Sequence, residues 1–459
     1  MRLIVLRCAF ALVAAAFAAT GAGATPASYL VFNLETGRVV DQKDAFRPWY
    51  PASVTKLMTA YVTFRAVRAG TIGLQSPVVV SANALAEPPS KMGFPVGTNL
   101  TIDTALKMVI VKSANDIAVA LGEAVSGTEE AFLEAMNFEA KRLGMLRTRF
   151  NNPHGLPDNE QVTTARDIAL LSRTLMLEFP EFSHYFKVAS LRHGKRRLKS
   201  ANSLLERYPG ASGLKTGYIC NSGFNMVASA RRGDQTIVAV VFGAASGMDR
   251  AVHAAGLLDR GFASSEILGP GPKVSEMVAP VDPGVVPEDG YCRRTPRPTA
   301  EALLLQHGSQ IQSSAAYASL SRSTQEILQQ ALDPEAKPAK SKKVTADTVL
   351  DLLVGQRVIQ DPVPVSLGAP ILSVVTGKIP TPSGKPAVLA AADPLASTSV
   401  TVATASVLGE GGAEPASEPH SVDVPGSAGP VLQAKQEAAI AKWPKKVGNF
   451  YLPQPKPPR

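Results

Sequence analysis

Proline and the aromatic residues divide this chain unevenly, and the division limits where a hydrophobic core can form. Of 36 prolines, 25 lie beyond residue 269, and of 27 aromatic residues only five do. A segment poor in aromatics and rich in proline buries too little apolar surface to offset the entropy of ordering its backbone. The expected organisation is one compact domain over residues 25–269, followed over 270–459 by a Pro/Ala-rich, largely disordered tail with short helical stretches at 323–332 and 346–353. No internal repeat of useful length is visible.

The first residues have a different character. Arg2 and Arg7 precede an apolar run over 8–19 and a small-residue stretch over 20–24, the pattern of an export signal cut after Ala24. The apolar run is shorter than the roughly 20 residues a membrane-spanning helix needs. The expectation is an exported, periplasmic protein whose membrane contact, if it has one, is peripheral. Cleavage removes Cys8 and leaves Cys220 and Cys292, which either form one disulfide in an oxidising compartment or remain two thiols. By strand alternation Cys220 lies on the face opposite Lys215 and reads as a small buried hydrophobe.

The six histidines show no metal-ligand spacing, so no metal and no cofactor are expected. Residues 25–269 carry 27 basic against 21 acidic residues, and the tail 18 against 17. That surplus suits a solvated surface or contact with anionic wall polymer or lipid headgroups. No basic stretch is interleaved with aromatics for stacking, which argues against nucleic acid. The cluster Arg192, Lys195, Arg196, Arg197 and Lys199 reads as a solvated hairpin or loop, with anionic wall polymer as the sharper alternative.

Residues 29–33 and 38–41 flank the turn Glu35-Thr36-Gly37 and predict an opening hairpin. Val54, Leu57, Met58, Tyr61 and Val62 then follow helical spacing, which puts Ser53 at a helix start. Further helices are expected over 101–127 with a break at 112–115, and over 130–143, 164–178 and 249–262. Strands are expected over 213–219, 224–230 and 236–242. Strands at both ends of the domain, helices between them and antiparallel hairpins give an α+β class, with an antiparallel sheet beside a mostly helical lobe.

Three short motifs carry chemistry: Ser53-Val54-Thr55-Lys56, Ser113-Ala114-Asn115 and Lys215-Thr216-Gly217. Each is weak alone, but their order and their places at a helix start, an interhelical break and a strand make a composite signal. A serine hydroxyl needs a base to become a nucleophile, and Lys56 lies one helical turn from Ser53. Its amine must be neutral near pH 7, which requires burial or a second cation such as Lys215. Ser113 suits a proton relay to a leaving amine, and Asn115 can hold a substrate amide or the Lys56 head. Lys215 and Gly217 share a strand face; Gly217 leaves room for a peptide backbone, while Lys215 and Thr216 are suited to a carboxylate. The constellation points to acyl transfer on a peptide with a free C-terminal carboxylate.

Residues 28–262 resemble the low-molecular-mass penicillin-binding proteins of the serine-type D-Ala-D-Ala carboxypeptidase family. The resemblance rests on residues 51–59 (Pro-Ala-Ser-Val-Thr-Lys-Leu-Met-Thr), 113–116 (Ser-Ala-Asn-Asp), 152–156 (Asn-Pro-His-Gly-Leu) and 213–218 (Gly-Leu-Lys-Thr-Gly-Tyr). It implies a DD-peptidase/β-lactamase-like fold in which Ser53 is acylated by the peptidoglycan pentapeptide stem, D-Ala leaves and water completes hydrolysis. It further implies Lys56 as general base, Ser113 and Asn115 on the second side of the cleft, Lys215 with Thr216 on the substrate carboxylate, and β-lactam antibiotics as covalent inhibitors.

The chain departs from that family in two respects. Residues 243–247 (Gly-Ala-Ala-Ser-Gly) offer no cation for the carboxylate before Arg250. The tail from Gly269 resembles neither the compact β domain nor the amphipathic membrane helix of many members, although 431–447 is Ala-rich and basic with Trp443. His154 reads as part of a shaped loop. Peptidoglycan endopeptidase action remains an alternative. A class A-like β-lactamase would need a glutamate near 151–158, and Glu160 lacks the accompanying Asn. A third reading, from another class, is a cell-wall scaffold acting through the tail.

Overall fold

The computed structural model describes residues 26–264, 271–300 and 345–368, short helical pieces between 302 and 329, and two residue pairs near 446–451. The expected export signal and most of the tail, including the 431–447 stretch apart from 446 and 447, lie outside the described residues.

A five-stranded antiparallel sheet organises the domain, its strands lying side by side in the order Val39–Lys43, Ser28–Asn33, Gln235–Ala244, Gly223–Arg232 and Ala211–Ile219. These strands are β1 (Ser28–Asn33), β2 (Val39–Lys43), β7 (Ala211–Ile219), β8 (Gly223–Arg232) and β9 (Gln235–Ala244). Two-residue periodicity explains how one sheet serves two cores. Val31, Met226, Ala228, Ala239 and Val241 pack against the helix Gly247–Ser264, whose Ala251, Ala254, Ala255 and Leu258 form its buried stripe. Leu30, Phe32, Val238, Val240 and Phe242, at alternate positions, are equally buried. Fully burying each large side chain contributes about 1.5–3 kcal/mol.

The helical lobe begins with Lys56–Arg68 and includes Asn115–Ser126, Glu129–Arg142 and Ala165–Glu178. Two of these starts are fixed by threonine caps: Thr128 Oγ1 accepts from the Ala131 amide and Thr164 Oγ1 from the Asp167 amide, each at 3.1 Å. Such caps contribute about 1 kcal/mol each. The α+β expectation therefore holds, with the sheet covered by helix on both faces. A hairpin of β5 (Ser190–His193) and β6 (Arg196–Lys199) exposes Arg192, Lys195, Arg196, Arg197 and Lys199 to solvent.

The folded unit runs past the boundary expected at residue 269. Cys220 and Cys292 are joined at 2.08 Å, which settles the open pairing and corrects the reading of Cys220 as a packed thiol. Tyr291 beside it stands edge-on to Trp49, with ring centroids 5.2 Å apart. Further along, the helix Ala346–Leu353 forms where expected and buries Val349 and Leu352 against the Gly247–Ser264 layer. Its Asp347 and Asp351 bind Arg207, and Val363–Pro364 then adds a parallel strand to β5. These segments are packed on the domain and bury their apolar side chains against it.

Candidate active site

Ser53 lies in a single 3-10 turn, Ala52–Thr55, that leads directly into the helix Lys56–Arg68. The turn is held to the sheet by Asn225, whose side-chain amide donates to Tyr50 O at 2.9 Å and Pro51 O at 3.2 Å. Asn225 Oδ1 in turn accepts from the Gly243 amide at 3.1 Å. A buried asparagine with its groups satisfied in this way ties the Ser53 turn to strands β8 and β9, which carry Asn225 and Gly243.

The spacing of Ser53 and Lys56 does what helical geometry requires, bringing Lys56 Nζ to 3.2 Å from Ser53 Oγ. The same nitrogen donates to Asn115 Oδ1 at 2.8 Å and to the His154 carbonyl at 2.6 Å. Lys56 is 0% exposed. Burial, and secondarily the charge of Lys215, hold its amine well below the ordinary lysine range, against smaller opposing effects of Asp116 and Glu87. A neutral amine has two N–H donors and one lone pair. Asn115 and His154 take the two donors and leave the lone pair for the Ser53 hydroxyl.

Ser113 closes the facing wall. The π-helical turn Met108–Lys112 ends on Ser113 at φ +62°, a left-handed conformation rare for a residue with a side chain. Strain of that kind costs about 1–3 kcal/mol and persists where the surroundings impose it. Here it turns Ser113 Oγ toward Lys215 Nζ, 3.0 Å away. Ser113 is thus held by Lys215.

Lys215 also donates to Thr216 O at 2.9 Å. Burial first and the Arg250 guanidinium second lower its amine to about 7. Arg250, from the helix Gly247–Ser264, donates to Asn225 O at 3.3 Å and Ala201 O at 2.9 Å. The segment 243–247 supplies no cation, and the nearest positive charge behind the strand is this buried arginine.

Gly217 lies directly against the turn that carries Ser53. A Cβ there would come within 2.9 Å of Ser53 N and 3.0 Å of Pro51 O, so the space that glycine leaves admits the nucleophile's own turn. Gly155 acts likewise: at φ +91°, a Cβ would fall 1.8 Å from Ala52 O. The loop that bears Gly155 and His154 is held by Gln161, whose Oε1 accepts from the amides of Asn151 and Asn152, each at 2.8 Å.

The structure therefore gathers Ser53, Lys56, Asn115, Ser113 and Lys215 around one cleft, with Gly217 against the Ser53 turn and Thr216 between Lys215 and Gly217 on β7. Sequence reasoning missed Asn225, Gln161 and Glu87; the last of these lies 3.0 Å from the His154 ring. Asn225 and Glu87 act on partners far away in the chain, Gln161 on amides 10 and 9 residues back, and no local pattern marks any of them. Among the described residues no group of three or more potential metal ligands occurs, and no helix is long and apolar enough to cross a membrane.

A serine and a buried lysine one turn apart, faced by a second serine and a strand lysine, define a serine acyl-transfer type of site. Comparison with known proteins agrees: the D-alanyl-D-alanine carboxypeptidase family matches residues 15–246, and the chain belongs to that family. D-alanyl-D-alanine carboxypeptidase DacC of Escherichia coli is 35% identical over 250 residues, covering 53% of this chain and 62% of the relative. DacF of Bacillus subtilis is 32% identical over 243 residues, covering 52% and 62%. The chain thus spans somewhat under two thirds of these relatives. Among solved structures, penicillin-binding protein 5 from Haemophilus influenzae superposes with a TM-score of 0.50 at 31% identity, covering 53% of this chain and 72% of that one.

Proposed function

We propose that this protein is an exported serine D-Ala-D-Ala carboxypeptidase that removes the terminal D-Ala from peptidoglycan pentapeptide stems and is acylated by penicillins. The observation that carries the reading is the set of three partners around Lys56 Nζ: two carbonyl acceptors and the Ser53 hydroxyl. Ser53 Oγ gives its proton to Lys56 and attacks the carbonyl between the two D-Ala residues. The C–N bond breaks, and the proton held on Lys56 reaches the departing amine through the Ser113 hydroxyl. Water then attacks the ester while Lys56 takes its proton, and Ser53 Oγ recovers a proton as the acid leaves. Lys215 and Thr216 hold the substrate carboxylate, for which Lys215 has a donor left beyond Ser113 and Thr216.

The β-lactamase alternative finds no support in the position of Glu160. That side chain is exposed and paired with Arg149 at 2.9 Å, so it is not turned toward Ser53. Among the described residues no carboxylate hydrogen-bonds Ser53 or Lys56, and slow hydrolysis of a penicilloyl ester is expected.

Incubation of the full chain with a fluorescent penicillin tests the reading. A long-lived one-to-one adduct that disappears in Ser53→Ala, together with D-Ala release from a pentapeptide, is the expected result. Rapid turnover of the label would favour a β-lactamase, and absence of labelling a scaffold. Removing the tail for such tests calls for a cut after residue 368, because residues 271–368 include segments docked on the domain.

A further inference from the structure

Glu87 ends the short helix Ala82–Ala86 and belongs to none of the sequence motifs. We propose that Glu87 and the His154 ring form a positioning pair that keeps the amine of Lys56 aimed at Ser53. This inference rests on Lys56 being the base of the proposed reaction, and it concerns what holds that base in place.

A closed circuit of contacts carries the argument. Lys56 Nζ donates to the His154 carbonyl at 2.6 Å, and the His154 ring nitrogen Nε2 lies 3.0 Å from Glu87 Oε2. The carbonyl of the next residue, Pro88, accepts from Asn115 Nδ2 at 2.8 Å, and Asn115 Oδ1 accepts from Lys56 at 2.8 Å. Both acceptors of the Lys56 amine are therefore held through the segment Glu87-Pro88, one by way of the imidazole and one by way of the carboxamide. If that segment moves, both acceptors move with it.

The imidazole's hydrogen bonds fix its chemical form. The Leu156 amide donates to His154 Nδ1 at 3.2 Å, so Nδ1 is an acceptor and Nε2 carries the proton that goes to Glu87. A second proton would have to enter at Nδ1, against that amide. Burial and the neighbouring Lys56 also push the ring below the usual histidine range, while Glu87 opposes them. The hydrogen bond from His154 holds the Glu87 carboxyl below its own usual range, with Lys56 and Lys91 adding to the effect. Glu129 is the acidic neighbour that feels Glu87, and Lys215 and Asp116 are the other charges around Lys56. The pair thus persists as neutral imidazole and carboxylate through the neutral range.

The test is single-turnover labelling of the full chain by a fluorescent penicillin from pH 5 to 9. Glu87→Ala should lower the plateau rate about tenfold, an effect of the size that mispositioning of a catalytic group produces, and should move the acid limb to lower pH. The direction follows from charge, because the carboxylate favours protonated Lys56 and its loss lowers the pH at which the amine becomes free. Glu87→Gln should shift the limb in the same direction but lose less of the plateau, since its carboxamide oxygen still accepts from Nε2.

Wild-type rates and limbs in both variants would overturn the proposal, as would a lowered plateau with an unmoved limb, the mark of a purely structural role. Should either variant fail to fold, the imidazole nitrogen spectrum of the wild-type chain decides. His154 protonated on Nε2 across pH 6–8 supports the pair, and a charged ring or an Nδ1–H tautomer refutes it. If the wild-type chain is not labelled, or Ser53→Ala labels as well as it does, the acyl-enzyme reading itself fails, an outcome distinct from failure of the pair.

Discussion

Lys56, at the start of the helical lobe, and Lys215, on the outermost strand of the sheet, are both almost wholly buried in one cleft, at 0% and 2% exposure. Their surroundings differ. Lys56 has three partners at 2.6–3.2 Å, enough to satisfy the amine completely. Lys215 has two, Ser113 Oγ and Thr216 O, and faces Arg250 instead of a carboxylate. A buried lysine without a counter-ion is costly unless it loses its proton or gains an anion. In the proposed reaction the first lysine exchanges a proton with Ser53 and the second receives the negatively charged end of the ligand.

The sharpest way to break this contrast is to remove the first amine. Lys56→Ala should slow acylation by penicillin by about 10²–10⁴-fold, the range for a general base. A loss under tenfold, read from labelling time courses, would take the base role from Lys56. A smaller effect, about 10–100-fold on the same rate, is expected for Gly217→Ala. Its new methyl meets the Ser53 amide and Pro51 carbonyl at about 3 Å, and the backbone must shift. Circular dichroism should show the fold retained.

The third expectation concerns ligand affinity. Lys215 loses its proton near pH 7 in the free protein, so a carboxylate ligand must restore that proton on binding. Above this pH, protection against labelling by an acyl-D-Ala-D-Ala peptide should weaken by about tenfold per unit. A flat dependence from pH 7 to 9 would show that the carboxylate is held elsewhere.

The smallest effect is on stability. Below about 7 Lys215 is charged in both folded and unfolded chains, and the fold carries the whole cost of burying the charge. As pH rises from there toward the unfolded value near 10.4, only the unfolded chain keeps the proton, and the cost is relieved. Lys215→Met should therefore raise the melting temperature more at pH 6 than at pH 9. The reverse order would contradict the direction of the shift.

What could be read in advance follows the range of the interactions involved. Ser53 with Lys56, and Lys215 with Gly217, are set by the repeat of a helix and of a strand, so their alignment was visible in a few residues. The break before Asn115 was visible too, though not that Ser113 would turn to Lys215. Asn225, Gln161 and Glu87 act on residues 174, 106 and 67 positions away (Pro51, Thr55 and His154). Neither periodicity nor spacing encodes such a contact. Composition likewise misjudged part of the chain after residue 269, because it measures whether a segment can make its own core. Val274, Val349 and Leu352 are buried in a surface that the domain already provides.

The bond between Cys220 and Cys292 has a practical consequence for anyone trimming this protein. Cys220 is half-buried and stands one residue beyond the strand that bears Lys215. A fragment ending at 269 would keep that sulfur and lose its mate, turning an inert crosslink into a handle for alkylating agents, mixed disulfides and gel-shifted dimers just past the strand that bears Lys215. Covalent probes aimed at Ser53 would then report on two nucleophiles of different chemistry, and a preparation that retains residue 292 reports on one.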